Sequence, residues 1–343
     1  YDATPEIQLL PDVVVFPTST EQVVDLVRFA REEGLPIVPR GSGTGLSGGS
    51  VAARGGMILC LTRMNRILEI DEENLTATAQ AGVVTLDFFN AVSAKGLFYP
   101  PDPGSQKIST LGGNIAEDAG GLRGLKYGVT RDYVMALNGV LGDGSQIATG
   151  GKSVKDVAGY ALKDLLVGSE GTLGIITEAT FKLIPPPRAK RTLLAYFKDT
   201  RTAGAAVSNI IAAKIIPSTM EIMDRATINC IEDYVHIGLP REMAAMLLIE
   251  VDGHHAVVLE EADDVRAVLE RVGAAHIEEA ADADHANQLA AARRTALSAL
   301  ARMSPTTLLE DATVPRSRLA ETFEEIERLS AKYQLKVGTF GHA

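Results

Sequence analysis

Arg40-Gly41-Ser42-Gly43-Thr44-Gly45-Leu46-Ser47-Gly48-Gly49 places five glycines in ten residues. Without Cβ atoms, a backbone can curl so that successive N–H groups turn inward. Such a concave run of amides binds anionic phosphate oxygens. Ser42, Thr44 and Ser47 add hydroxyl donors, so a phosphate-bearing cofactor is the ligand this stretch predicts. Two common readings fail here. Gly43 to Gly48 matches G-x-G-x-x-G in form, but that fingerprint needs a helix opening at its third glycine. The residues that follow, Gly49-Ser50-Val51-Ala52-Ala53-Arg54-Gly55-Gly56, cannot give a long amphipathic helix. No G-K-[ST] closes the loop, which excludes a P-loop. The remaining alternative is a flexible glycine loop without a ligand.

Working outward, Val13 to Phe16 is a β-branched strand, and Pro17-Thr18-Ser19-Thr20 turns into a helix with Val23, Val24, Val27 and Ala30 on one face. Gly34 ends that helix. Ile37-Val38 and Met57 to Leu61 are short strands around the loop. Thr85 to Lys95 reads as a helix with Leu86, Phe89 and Val92 inward. Val134 to Leu141 is a strand followed by the turn signal Asp143-Gly144, and Ile175 to Ile184 is the last strand before Pro185-Pro186-Pro187. Three more glycine segments lie in this half: Ser109-Thr110-Leu111-Gly112-Gly113-Asn114, then Gly120-Gly121 with Tyr127-Gly128, then Gly168-Ser169-Glu170-Gly171-Thr172-Leu173-Gly174-Ile175-Ile176-Thr177. Each mixes glycine with hydroxyl, amide or aromatic side chains. Four such segments in one half suggest a long ligand lying against backbone.

The proline run divides two kinds of sequence. Of 32 glycines, 26 precede it and six follow. Three consecutive prolines hold extended backbone and cannot continue a strand ladder. The reading is therefore two domains, residues 1–186 and 187–343. In the second, Thr192 to Phe197 and Ala244 to Val251 are strands, the latter ending in Asp252-Gly253. Ala203 to Ala213 and Leu259 to Arg271 are helices, and His254-His255 falls in a loop. The class is α+β.

A formal net charge of −11 without a basic stripe makes nucleic acid and anionic membrane surfaces poor partners. No apolar run approaches the ~20 residues of a membrane span. The start of the sequence lacks a basic-then-apolar signal pattern. Cys60 and Cys230 are far apart, which argues against a disulfide framework, and each reads as a small buried hydrophobe. These features predict a cytoplasmic protein.

The order of the four glycine segments resembles the FAD-binding domain of the vanillyl-alcohol oxidase (PCMH-type) flavoproteins. Pro11 to Phe16 is similar to that domain's opening. Gly168 to Thr177, and Tyr127-Gly128-Val129-Thr130-Arg131-Asp132-Tyr133, resemble the branch containing D-lactate dehydrogenase, D-2-hydroxyglutarate dehydrogenase and a glycolate oxidase subunit. The resemblance runs from about residue 5 to the end. It implies a PCMH-type FAD-binding domain of two α+β subdomains, followed by an antiparallel-sheet cap that is incomplete at Ala343. It places the FAD pyrophosphate on Arg40 to Gly49 and the isoalloxazine and ribityl chain near Ser109 to Asn114. It brings Glu170, Gly171, Gly174, Ile175, Ile176 and Thr177 to the flavin and the ADP portion. Some relatives tether FAD through a histidine in the first glycine loop. None of the six histidines here precedes position 236, so FAD is expected to be non-covalent.

For the cap, the resemblance aligns Arg293 with the arginine that grips a substrate carboxylate, a task suited to a bidentate guanidinium. Read from the residues alone, Arg293-Arg294 is equally a solvated pair on a helix whose other side carries Leu289, Ala292, Ala296 and Leu300. Asp311 to Arg316 matches a family segment and reads as structural. Gly338-Thr339-Phe340-Gly341-His342 resembles the start of the segment that binds a divalent metal, zinc or manganese, in many members. That makes His342 a catalytic and metal-ligand candidate, with the rest of the segment expected beyond Ala343. The implied reaction is FAD-dependent oxidation of a D-2-hydroxy acid, glycolate or D-lactate foremost, with hydride passing to flavin N5. A quinone, an electron-transfer protein or a partner subunit would accept the electrons. A non-catalytic FAD-binding subunit and an FAD oxidase of another alcohol stay open.

Overall fold

The computed structural model describes residues 2–3, 8–304 and 306–343. Two compact units emerge: residues 1–121 with 128–186, and residues 122–127 with 187–343.

In the first unit, the β-branched run forms β1 (Val13–Val15). Ser19 then caps α1 (Thr20–Glu32), its side chain accepting from the Gln22 amide. Val23, Val24, Val27 and Ala30 form the buried face of α1, as the periodicity predicts. β2 (Ile37–Arg40) and β3 (Met57–Cys60) follow, with the glycine loop between them. β1, β3 and β2 form a parallel sheet, with Val13 and Ile37 both opposite Met57. β4 (Ile67–Asp71) and β5 (Thr76–Gln80) start a second sheet. α2 (Thr85–Ser93) and α3 (Leu111–Glu117) pack beside it. Between α3 and β6 the chain gives a short helix, α4 (Gly124–Tyr127), to the second unit. β6 (Val134–Leu141), β7 (Gln146–Gly150), α5 (Leu162–Leu166) and β8 (Gly174–Lys182) complete the first unit. Its five-stranded sheet runs β4-β5-β8-β6-β7, antiparallel throughout. Under it, Phe88 packs edge-on to Tyr99 at 5.1 Å, with Phe181 beside both.

The second unit centres on an antiparallel sheet of order β12-β9-β11-β10-β13. Its elements are β9 (Ala189–Phe197), α6 (Thr200–Ala212), β10 (Thr219–Asp224), α7 (Arg225–Val235), β11 (Ala245–Gly253), α8 (His255–Val272), β12 (His276–Glu279), α9 (Ala283–Arg294), α10 (Ala296–Leu300), α11 (Leu319–Tyr333) and β13 (Phe340–His342). Alternation along the strands makes two cores. Leu193, Ala195, Phe197, Leu247 and Ile249 face α6 and α8. Leu194, Tyr196, Met246 and Leu248 face the residues of α7, α9 and α10.

Several sequence readings need correction. Phe88, not Phe89, is the fully buried aromatic of α2, because the helix rotates Thr85, Phe88 and Val92 inward. β11 starts at Ala245, one residue past the predicted Ala244, and ends in Asp252-Gly253 as read, with Gly253 paired to Ala189. His255 opens α8 and His254 sits at its N-cap, so the pair is not a loop. Cys60 is buried, but Cys230 on α7 is only partly so.

Candidate functional site

The glycine loop leaves β2 at Arg40, whose guanidinium turns back to donate to the Gly41 and Ser42 carbonyls. That contact fixes the mouth of the loop. Among the described residues, the amide N–H groups of Ser42 to Gly45 and of Ser47 to Gly49 meet no acceptor. The buried Ser42 hydroxyl also has no partner there. Ser47 and Gly49 are open to water, but Gly43 and the Ser42 hydroxyl are buried; buried polar groups in folded proteins are almost always hydrogen-bonded, so an anionic ligand fits this part of the loop. Neighbouring elements close in on it. A Cβ on Gly41 would run into the Thr110 hydroxyl, and one on Gly45 would come to 2.9 Å from Glu117 Oε1. Ser47 donates to Glu170 Oε2 at 3.0 Å. Glu170 has a φ of 50°, a left-handed conformation that costs a non-glycine residue about 1–2 kcal/mol. Strained backbone of this kind concentrates at ligand sites.

The other predicted cofactor residues divide by what their polar atoms already do. Ser109, Thr110 and Asn114 are buried. Asn114 donates to Thr85 Oγ1, Thr85 and Ser109 share their hydroxyls, and Thr110 caps α3 by accepting from the Gly113 amide. Gly112 donates its amide to Ala81. This stretch builds the wall behind the loop. Thr177 is equally internal, accepting from Thr20 and donating to the Asn138 carbonyl, and Ile175 and Ile176 are core residues of β8. Gly171 packs on Pro39, which brings the Gly168–Gly174 turn against the end of β2, and Gly174 starts β8. Gly120 lies near Val129, Gly121 packs on Asp102, and Gly128 abuts the Asp132 carboxylate. Tyr127 belongs to the second unit and donates to Asp252 Oδ2, beside the Lys126–Asp252 ion pair of 2.6 Å. Sequence reasoning missed Arg131. It pairs with Asp118 at 2.8 Å and donates to the Val167 carbonyl, tying the C-terminal end of α3 to the Gly168 turn.

Glu117 is a further unpredicted neighbour. Burial, then the charges of Glu170 and Asp2, push its carboxyl above the ordinary range. A carboxyl raised in the folded state opposes folding while ionised, and that opposition is relieved as pH falls through the raised value. A phosphate in the loop adds to the repulsion. Glu117→Gln is therefore expected to bind the cofactor more tightly than the parent, read by titrating apo protein at neutral pH. Weaker binding would mean the carboxylate accepts a hydrogen bond from the ligand.

In the second unit the predicted residues meet. Arg293, at the end of α9, is 5% exposed and its Nη2 lies 2.6 Å from Glu221 Oε2. The ring of Phe340 lies 4.6 Å from its guanidinium carbon. His342 Nδ1 is 2.6 Å from Glu221 Oε1, and the two residues sit opposite each other in the β10–β13 ladder. The solvated-pair reading of Arg293 is thus overturned. Burial pulls its basicity down and the Glu221 charge opposes that; it remains a guanidinium cation. Glu221 was missed because β10 was not recognised. The alternation of Met220 and Ile222 with Thr219 and Glu221 was the available signal. Among the described residues no three histidine, cysteine, aspartate or glutamate side chains converge as metal ligands. His342 with Glu221 does not by itself fit a metal.

Matches to known families coincide with the two halves. The FAD binding domain family covers residues 11–150, and the C-terminal domain of FAD linked oxidases covers residues 186–343. The chain is 55% identical to glycolate oxidase subunit GlcD of Bacillus subtilis (strain 168), over all of this chain and 73% of that protein. The chain belongs to the FAD-linked oxidases. FAD is their cofactor, and the amide-rich loop of this flavoprotein fits its pyrophosphate. Identity is 39% to GlcD of Escherichia coli (strain K12), over 97% of this chain and 66% of that one. It is 36% to a D-lactate dehydrogenase of Archaeoglobus fulgidus, over 96% and 73%. The chain thus spans two thirds to three quarters of these relatives. In fold, the flavoprotein matches alkyldihydroxyacetonephosphate synthase with a TM-score of 0.76 at 24% identity, covering 93% of this chain and 65% of that one. It matches 4-ethylphenol oxidase from Gulosibacter chungangensis with a TM-score of 0.75 at 20% identity, covering 96% and 72%. These likenesses make the fold PCMH-type. No described helix is long and apolar enough to cross a membrane.

Proposed function

We propose that the protein oxidises a D-2-hydroxy acid, glycolate or D-lactate foremost, with non-covalent FAD as electron acceptor. The observation that carries this reading is Arg293, a buried guanidinium whose Nε lacks a partner among the described residues. A planar cation held in an apolar setting suits a carboxylate-bearing substrate. The names of the relatives support the same substrate class. FAD, when bound, supplies the two-electron oxidising chemistry. The chain's own residues do the rest. The loop amides and Ser42 hold the pyrophosphate, Arg293 orients the substrate carboxylate, and His342 stands beside Arg293 through their shared Glu221. No step is assigned to a metal.

We assign a cytoplasmic setting, with a quinone, an electron-transfer protein or a partner subunit as the next electron acceptor. The B. subtilis and E. coli relatives are themselves named as subunits. The acidic charge disfavours nucleic acid as a partner. Two measurements test the proposal. Acid or heat denaturation is expected to release all flavin as free FAD, because no histidine precedes His236. Flavin that stays on the denatured chain would overturn the non-covalent assignment. With an artificial electron acceptor, D-lactate is expected to be oxidised and L-lactate much more slowly. Equal rates, or turnover only of alcohols without a carboxylate, would remove Arg293 from the substrate site.

A further inference from the structure

Glu221 holds Arg293 through one prong. Nη2 lies 2.6 Å from Oε2, and Nε has no partner among the described residues. A guanidinium fixed at a single edge is free to pivot about that contact. A second contact, from the neighbouring strand, removes the freedom: Cζ lies over the ring of Phe340, 4.6 Å from the ring centre. Arg293 is almost wholly buried and borders Leu194, Met223 and Leu289. Its charge therefore meets the negative face of the ring with little water between, where that attraction is strongest.

The chain leading to Phe340 is held in place. A Cβ on Gly338 would collide with Leu300 of α10. The Thr339 amide donates to Asp224 Oδ2 at 2.8 Å, and its carbonyl accepts from the Asp224 amide at 2.9 Å. Asp224 also caps α7, taking the Thr227 amide on its other oxygen. Phe340 then stands opposite Met223 in the β10–β13 ladder and packs on the core that faces α7, α9 and α10. A glycine and a helix-capping carboxylate thus set where the ring stands relative to the end of α9.

We propose that Phe340 is a positioning residue: its ring orients the Arg293 guanidinium so that the unpaired Nε edge meets the substrate carboxylate in one fixed direction. This rests on reading Arg293 as the partner of that carboxylate. A preoriented guanidinium binds without first being ordered. Without the ring it can turn to offer Glu221 both prongs, the geometry a carboxylate favours, and the substrate loses its edge.

Phe340→Leu keeps an apolar side chain but removes the aromatic face. With an artificial electron acceptor, it is expected to raise KM for D-lactate or glycolate about three- to tenfold, to change kcat much less, and to keep full FAD content. Phe340→Tyr keeps the ring and is expected to hold the parental KM. Replacing Phe340 by trifluorophenylalanine preserves the shape and weakens the negative face; KM is expected to rise here too, which a merely space-filling role would not produce. In the Arg293→Ala background, Phe340→Leu is expected to lower kcat/KM no further. Parental KM in both the Phe340→Leu and the trifluorophenylalanine proteins, beside a raised KM in Arg293→Ala, would overturn the proposal and leave the substrate reading standing. So would an equal loss from Phe340→Leu with and without Arg293. If Phe340→Leu fails to fold, the trifluorophenylalanine protein decides alone. If Arg293→Ala has parental kinetics, or no 2-hydroxy acid is oxidised, the functional reading and the proposal fall together.

Discussion

Arg293→Ala is expected to leave FAD bound, to lower turnover of the hydroxy acid, and to destabilise the second unit. Removing one member of a buried ion pair strands the other, which typically costs about 3–5 kcal/mol. Here the stranded group is Glu221, with no surface exposure and, among the described residues, His342 left to face it. Loss of a charge-assisted contact to substrate removes a further 1.5–3 kcal/mol or so of binding, about ten- to a hundredfold in kcat/KM. The two effects separate in a cycle. Adding Glu221→Gln to Arg293→Ala should recover much of the stability and none of the turnover, because it removes the stranded charge without restoring the guanidinium. Arg293→Lys keeps charge but not the planar fork, so it should hold stability better than activity. Chemical denaturation and kinetics on the same preparations read both. Parent-like kinetics in a folded Arg293→Ala protein would reduce Arg293 to a counter-ion.

Gly43→Val is expected to abolish flavin loading. Gly43 has a φ of 73°, a conformation that a β-branched residue strongly resists. It also lies among the amides that meet no acceptor among the described residues, so a side chain there blocks backbone approach to a pyrophosphate. The second unit has its own cores and should stay folded. Purified Gly43→Val should be colourless and resist reconstitution with excess FAD. Full occupancy would take the loop out of the site.

Periodicity carried most of the fold. The face of α1 and the placement of β1, β2, β3, β6, β8, β9 and β11 follow from apolar spacing and from glycine or proline stops. β5 (Thr-Ala-Thr-Ala-Gln) was not legible as a strand because it alternates only small residues, and the alternation of Met220 and Ile222 with Thr219 and Glu221 in β10 is a short one that Met223 breaks. Both lie inside sheets, where the paired neighbours and not intrinsic propensity fix strand conformation. That omission hid Glu221, the residue joining the two predicted cap residues. On the cofactor side, glycine density picks out a loop whose amides meet no acceptor among the described residues, together with residues whose polar atoms are already engaged. Ser109, Thr110, Asn114 and Thr177 look like ligand groups in sequence, yet their hydroxyl and amide groups are engaged within the fold. Only the three-dimensional hydrogen-bond partners separate a wall from a cradle.

Whether this flavoprotein takes electrons from a 2-hydroxy acid through Arg293 is decided by anaerobic mixing of the FAD-loaded protein with D-lactate or glycolate. Loss of the visible absorbance of oxidised flavin, saturating with substrate and abolished or strongly slowed in Arg293→Ala, is the predicted result. A loaded protein whose flavin stays oxidised with both acids and with other D-2-hydroxy acids, yet is bleached by a chemical reductant, would contradict it.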